Sequence, residues 1–400
     1  MYNKGTRYLE KGNYAKALQC FKKQGITHSF KELHLNMGNA YRGIMQPSKA
    51  LEQYKLANDP AIPFADGRFI EHYPLAINNI GLLAYACGDD ETAIEHYKSA
   101  LTLDPLHFDA VWNYASALLR SKNCSSEVGW KAYEYRFKRS GYKNPLDVSL
   151  VTWDGISPGR GIVVQTEQGL GDKIMFGRYL RRLTEYFEFV DVVCHPSLDC
   201  FFSDYGIVRS VSESSANVTI GICSLAQWFY GTDEKWPEGK FNVRKFDSKK
   251  FNVGVVWSGS TTHANNHNRS CHVRHFSDLA SSDTVLYGLN PADAKGKNIV
   301  DISSTDWTST AETVLGLDCV VTVDTSIVHL CGTLGVDCIM IQPMWETDFR
   351  WGRPGDKNVW YDSVTVLENN GWGNVFPKVQ KLLAERKKNT LEKRNACTEK

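Results

Sequence analysis

From about residue 160 onward, apolar residues fall into short unbroken runs separated by turn residues. Before residue 140 they are interrupted, and the same small and aromatic residues return at fixed intervals. Unbroken runs of four to eight apolar residues are the mark of strands buried on both faces, whereas spacings of three and four mark a helix face. The pattern predicts strands at residues 161–164, 189–194, 208–211 and 218–222, and a second series at 251–257, 284–289, 298–301, 318–323 and 337–342. Between them, Ile174, Phe176, Tyr179, Leu180 and Leu183 have helical spacing, residues 310–317 read as a helix, and Ser326 opens another with Ile327, Leu330 and Leu334 on its core face. Alternating strands and helices predict parallel sheets with right-handed crossovers.

The first part is periodic instead. Gly5, Gly12, Tyr14, Ala17 and Phe21 form one set, and Gly38, Tyr41, Ala50 and Tyr54 repeat part of it 33 residues on. The fullest copy is Gly81, Ala84, Gly88, Ala93, Tyr97, Ala100 and Pro105, after a proline-containing insertion at residues 59–74. A fourth helix pair runs from Phe108 to about Arg139. Small residues where two antiparallel helices touch, with aromatics beside them, make each copy a helical hairpin, and the stretch 79–105 resembles a tetratricopeptide (TPR) repeat. Such an array either offers a groove to a peptide or protein partner or serves as a scaffold for the next domain. Asn36, Asn39, Asn78, Asn79 and Asn113 fall on one side, as groove residues or as polar contacts between helices.

Four hundred residues exceed one core, so several domains are expected. The divisions read as 1–140 for the repeats, 141–250 and 251–385 for two α/β domains, and 386–400 for a charged, frayed tail, with a linker at Lys143-Asn144-Pro145. With 46 basic and 45 acidic residues there is no global drive toward nucleic acid or an anionic membrane. No apolar run approaches the roughly 20 residues of a membrane span, and the polar start is unlike a signal peptide. Eleven cysteines without a CxxC pair suit a reducing, cytoplasmic compartment without a disulfide framework or structural zinc.

Candidate chemistry gathers where strands end. Glu167-Gln168-Gly169-Leu170-Gly171-Asp172-Lys173 lies between a strand and a helix, where glycines let backbone N–H groups approach a ligand. Asp172 is then either a helix cap or a functional carboxylate. In the second series, Ser258-Gly259 to His263 and then Arg269-Ser270 supply hydroxyls, N–H groups and a cation suited to phosphate oxygens. Asp324, Thr325 and Ser326 crowd the start of the helix that carries His329 one turn in. Asp348, Arg350 and Trp351 add a cation and an aromatic. The aromatic run 224–230 either lines an acceptor site or packs between domains.

Taken together and in order, the helix Gly129-Trp130 to Arg136, Trp153-Asp154-Gly155, the 167–172 turn, Val256-Trp257-Ser258-Gly259 with Arg269-Ser270, Asp324-Thr325-Ser326 with His329-Leu330, and Asp348 with Arg350-Trp351 carry a resemblance. The chain resembles bacterial TPR proteins that bear a heptosyltransferase-like (family 9) glycosyltransferase domain. The resemblance implies a GT-B architecture, in which two Rossmann-like α/β domains follow TPR-like helical repeats, with a nucleotide-diphosphate sugar as donor substrate and no obligatory metal or other cofactor. It places the general base at Asp172 and the diphosphate on Ser258, Gly259 and Arg269. It places the sugar nucleotide on Asp324, Thr325, Ser326 and His329, with Gly171 beside it, and Glu167, Gln168, Lys173, His263 and Arg350 as additional candidates. One departure is Asn266, where the family often has aspartate. The implied activity is metal-independent, inverting sugar transfer to an acceptor hydroxyl of protein, glycan, lipid or modified nucleobase. An adaptor with a vestigial transferase domain is the alternative. A sugar-nucleotide epimerase is disfavoured by the lack of GxGxxG.

Overall fold

A computed structural model describes residues 1–25, 28–123, 125–139, 144, 146–232, 241–263, 265–289, 298–352 and 358–398. Lys143 and Pro145 of the expected linker, and Ala264, lie outside the described residues. The chain forms two compact units. One is Met1–Asn144 with Trp345–Arg353, and the other is Pro145–Met344 with Pro354–Lys400.

The first unit is built of helical hairpins: α1 (Tyr2–Glu10) with α2 (Tyr14–Gly25), α3 (Lys31–Gly43) with α4 (Pro47–Asn58), α5 (Pro74–Ala86) with α6 (Asp90–Leu103), and α7 (Phe108–Arg120) with α8 (Ser126–Tyr133). The repeated residues are the contact points. A Cβ on Gly5 would stand 2.4 Å from the Phe21 ring, one on Gly38 2.4 Å from the Tyr54 ring, and one on Gly81 2.7 Å from the Tyr97 ring. Each glycine thus lets a buried aromatic of the second helix lie against the backbone of the first. Seven residues further on (5 to 12, 38 to 45, 81 to 88), the hairpin turns through a left-handed residue: Gly12 at φ 69°, Met45 at φ 54° and Gly88 at φ 83°. Four of the asparagines are bonded to one another, two of the bonds running between helices, and Asn36 donates to the Tyr2 hydroxyl (2.8 Å). Asn79 donates to Asn39 (3.0 Å), Asn113 to Asn78 (3.0 Å) and Asn78 to Asn79 (3.1 Å), and the Tyr54 hydroxyl donates to Asn39 (2.8 Å).

Residues 345–353 return from the far end of the sequence to finish this unit. Arg120 is the hub. Its side chain and that of Asp90 are 2% and 0% exposed. Nε donates to Asp90 (2.8 Å), Nη1 to the Thr347 carbonyl (3.0 Å), and the guanidinium lies 3.4 Å from the Tyr85 ring centroid. Phe349 sits edge-on to Trp130 and Tyr133, each at 5.9 Å.

The second unit holds two all-parallel sheets. The first contains β1 (Val151–Thr152), β2 (Gly159–Gln165), β3 (Phe187–Val193), β4 (Gly206–Val208) and β5 (Val218–Gly221), in the order β1-β5-β2-β3-β4. The second contains β6 (Phe251–Val256), β7 (Thr284–Gly288), β8 (Ile299–Asp301), β9 (Cys319–Val323), β10 (Cys338–Pro343) and β11 (Val364–Asn369), in the order β11-β10-β9-β6-β7-β8. Counting helices of seven residues or more, α9 is Leu170–Phe176, α10 Trp307–Gly316, α11 Ser326–Leu334 and α12 Trp372–Thr398. Central strands are buried along their length, which is why they read as unbroken apolar runs; β6, β9 and β10 contain no exposed residue.

Three expectations change. The single helix expected after the 165–173 turn is broken: α9 ends at Phe176, a tight turn spans Gly177–Tyr179, and one helical turn follows at Leu180–Leu183. The stretch expected to be a frayed tail is helix α12, continuous through Thr398. Three of its cations have carboxylate partners distant in sequence: Arg386 pairs with Asp337 (3.0 Å), Lys387 with Asp283 (2.9 Å) and Arg394 with Asp318 (2.5 Å). And residues 345–353, read as part of the second α/β domain, belong to the helical unit.

Candidate active site

In an open parallel sheet, the crevice for a ligand forms where successive connections leave in opposite directions. In the first sheet, β3 lies on one side of β2 and β5 on the other; in the second, β7 lies on one side of β6 and β9 on the other. The three candidate stretches begin at the carboxyl ends of these strands: residues 167–173 after β2, 258–259 after β6 and 324–326 after β9. Pairing of Gln165 with Gly221 and of Val256 with Thr322 keeps the paired ends level.

The turn after β2 is held by its own carboxylates. Glu167 is 2% exposed and accepts the Cys223 N–H at 3.1 Å, tying the turn to the chain beyond β5. Gln168 turns through φ 65°. Asp172, the third residue of α9, accepts the Gly169 N–H on Oδ2 at 3.0 Å, the return bond of a capping box at the start of that helix. Lys173 is partly exposed, and its N–H bonds to the Gly169 carbonyl at 3.2 Å.

Gly171 shows why this position has no side chain. A Cβ there would stand 2.7 Å from His329 Cδ2 and 3.4 Å from Ser326 Cα. Helix α9 therefore lies directly on the start of α11, and the Asp172 turn and the 324–329 helix start form one seam. Thr325 caps α11, accepting the Ile327 N–H at 3.3 Å, and left-handed Gly335 ends it. His329 is 6% exposed, and its Nδ1 shares a 3.0 Å hydrogen bond with the Tyr361 hydroxyl. Arg178, just past α9, donates to the Trp360 carbonyl at 3.0 Å and lies 4.8 Å from the centre of the Tyr361 ring.

The loop after β6 is closed at its base by the Cys271 N–H donating to the Trp257 carbonyl at 2.9 Å. Within it, the Gly259 N–H donates to Ser270 Oγ (3.1 Å), and the Ser270 hydroxyl donates to Asn266 Oδ1 (2.8 Å). Arg269 lies flat over Gly259, where a Cβ would come within 2.6 Å of its guanidinium, and its Nη1 donates to the Asp324 carbonyl at 3.0 Å. Ser258, Gly259, Arg269 and the 324–326 turn are thereby brought together. Burial pushes the Cys271 thiol up to about 12, so this cysteine stays protonated beside them.

Two further candidates have local partners. His263 is exposed, and its Nδ1 accepts the Asn265 N–H at 3.2 Å. Arg350 belongs to the helical unit, where it pairs with Asp348 at 2.9 Å. Tyr361 and Arg178 are participants that sequence reasoning missed as such. Tyr361 reaches His329 across 32 residues of chain, a pairing with no local signal. Among the described residues, no group of three or more His, Cys, Asp or Glu gathers as a metal site, and no helix is long and apolar enough to cross a membrane. In the aromatic run Phe229 is buried, whereas Trp228, which lies against Gly155 (φ 89°), and Tyr230 are exposed.

No protein-family model matches the chain, and no curated protein matches it. Solved structures do. E. coli heptosyltransferase WaaC with ADP is 11% identical, with 56% of this chain and 99% of that one covered at a TM-score of 0.41. A family 9 glycosyltransferase from Veillonella parvula is 11% identical, with 58% and 98% covered at 0.41. A Thermobaculum terrenum O-GlcNAc transferase mutant is 11% identical, with 97% and 92% covered at 0.35. These structural neighbours are glycosyltransferases. At such identities and scores the likeness says nothing about individual residues, and the site rests on its own geometry.

Proposed function

We propose that the chain is a nucleotide-sugar-dependent glycosyltransferase acting with inversion. The observation that supports this reading best is the seam itself, in which the Asp172 turn of one sheet packs on the Asp324–His329 helix start of the other through Gly171 and His329. A carboxylate thus stands beside a set of phosphate donors contributed by a different sheet. In the proposed reaction the acceptor hydroxyl gives its proton to Asp172 as its oxygen bonds to the anomeric carbon. The bond from that carbon to the diphosphate breaks, and the electron pair leaves with the diphosphate. Arg269, the hydroxyl of Ser258 and the N-terminus of α11 stabilise that charge. The helical unit serves as a scaffold, a role its mutually bonded asparagines favour.

The test begins with a thermal-shift screen of ADP-, GDP- and UDP-sugars and the free diphosphates. A ligand at 100 times its Kd stabilises by about 2.7 kcal/mol. Absence of any shift would count against the donor site. Asp172→Asn is the informative variant, because its amide oxygen still caps Gly169. It should keep donor affinity and lose transfer by at least about 100-fold. Undiminished transfer would remove Asp172 from the role of base.

A further inference from the structure

The ends of β2, β3 and β4 stand level, because Gln165 pairs with Val193 and Val193 with Val208. Adjacent strands lie about 4.8 Å apart, so the residue after β4 is about 10 Å along the same edge from the turn that leads to Asp172. Thr166 ties the neighbouring ends together, donating its N–H (3.1 Å) and its hydroxyl (2.9 Å) to the Val193 carbonyl. Beyond β3, the helical turn Asp199–Phe202 carries Phe201, whose ring centre lies 6.4 Å from that of Trp307 at the start of α10. This edge therefore meets the connections of the second sheet here as well as at Gly171.

The edge carries side chains to which the proposed reaction gives no task. Arg209, next after β4, donates through Nη1 to Asp199 Oδ1 (2.7 Å) and to the Cys194 carbonyl (3.2 Å), and through Nη2 to Asp199 Oδ2 (2.5 Å). These bonds hold the Asp199 carboxyl below its usual range, so it stays charged. The pair is not buried: the Arg209 and Asp199 side chains are 42% and 37% exposed. Among the described residues, the Arg209 Nε–H, the second Nη2–H and a lone pair of Asp199 Oδ2 take no partner. His195, next but one after Val193, is exposed, and its Nδ1 accepts the Ser197 N–H at 3.2 Å. A backbone N–H can only donate, so the neutral ring carries its proton on Nε2 and presents a further donor.

A bidentate Asp–Arg pair has little to offer an anion, since the carboxylate that fixes the guanidinium also repels the ligand. It offers donors and acceptors side by side in a fixed frame. Hydroxyl groups match that frame, because each both donates and accepts. Neighbouring hydroxyls of a sugar ring can bridge Arg209 and Asp199, and the His195 donor adds to them. An acyl chain would desolvate the same groups and leave them unpaired. We propose that the carboxyl ends of β3 and β4 form the acceptor subsite, and that the acceptor is an uncharged carbohydrate held by Asp199, Arg209 and His195. This rests on the transferase reading above, in which Asp172 on the same edge takes the proton.

The experiment places the full chain on an array of neutral oligosaccharides, uronic-acid and sialic-acid oligosaccharides, phosphorylated sugars and short peptides, with ADP, GDP and UDP titrated separately. The wild type is expected to retain neutral glycans over acidic ones. Asp199→Asn keeps the shape of the pair but removes the compensating charge, and should raise the ratio of acidic to neutral binding at least about tenfold. That gain should shrink as salt is raised to about 0.5 M, because screening shortens the reach of the freed cation. Arg209→Gln should weaken neutral binding and gain none for acidic glycans, and it is read whether or not Asp199→Asn folds. A wild type that binds no glycan, or prefers acidic glycans or peptides, overturns the inference, as does an unchanged ratio in Asp199→Asn. If nucleotides still bind in those cases, the donor reading stands. Neutral glycans bound by a chain that binds no nucleotide would leave the subsite and overturn the donor reading.

Discussion

The seam between α9 and α11 depends on Gly171 having no side chain. A Cβ at Gly171 would stand 2.7 Å from His329 Cδ2 and 3.4 Å from both His329 Nε2 and Ser326 Cα. Carbon atoms in contact prefer about 3.5–4.0 Å, so the new methyl is roughly 1 Å too close. Neither side yields easily. Ser326 Cα is backbone at the first turn of α11. The His329 ring is buried, hydrogen-bonded to Tyr361, and packed edge-on against it with ring centres 5.9 Å apart. Inserting a methyl into such packing costs about 1–3 kcal/mol. Alanine recovers up to about 1 kcal/mol through its higher helix propensity in α9. Gly171→Ala should therefore destabilise by about 1–2 kcal/mol, read as a lower urea midpoint with unchanged slope for the transition of the α/β unit. The decisive measurement is the cycle with His329→Ala. Without the ring the clash is gone, and the Gly171→Ala change should become neutral or stabilising, a coupling of about 1–3 kcal/mol. If Gly171→Ala stabilises the wild type and the coupling is near zero, α9 and α11 do not meet as described.

Two further predictions concern the helical unit. Met45 occupies the left-handed turn position that glycine holds in two other hairpins, and its side chain is 48% exposed, so Met45→Gly relieves strain without losing packing. It should raise the unfolding free energy by about 1 kcal/mol in urea; a decrease would show that the turn is not strained. Arg120→Met strands the buried Asp90 carboxylate and the carbonyl of Thr347, and should cost about 3–5 kcal/mol and make residues 345–352 newly sensitive to protease. The double variant Asp90→Leu, Arg120→Met should recover most of that loss, and equal damage in single and double variants would refute the account.

The proposed chemistry asks little of any one residue. Asp172, Glu167 and Thr325 all serve as local structure, as caps or braces, and the proposed reaction asks Asp172 to act as base as well. The same holds for Arg269, which ties the β6 loop to the carbonyl of Asp324 before any ligand arrives. Groups fixed in this way lose little further freedom on binding, which favours both affinity and transition-state stabilisation.

The hairpin repeats were legible in the sequence because Gly5, Gly38 and Gly81 must each accept an aromatic at a fixed distance along the chain, and that local constraint leaves a period. Central strands were legible because burial on both faces demands unbroken apolar residues, and the 167–172, 258–259 and 324–326 stretches could be placed at their ends. Edge strand β1 was not, since both its residues are exposed and carry no such demand. The helix α12 was missed because three of the charges that suggested a loose tail, Arg386, Lys387 and Arg394, are paired with Asp337, Asp283 and Asp318, all distant in sequence. Likewise, only the tertiary structure could bring residues 345–353 to Arg120, or Tyr361 to His329. The sequence determined which residues cap, turn and bury, because those needs are met by near neighbours. The folded chain decided which caps face one another, and so set His329 against Gly171.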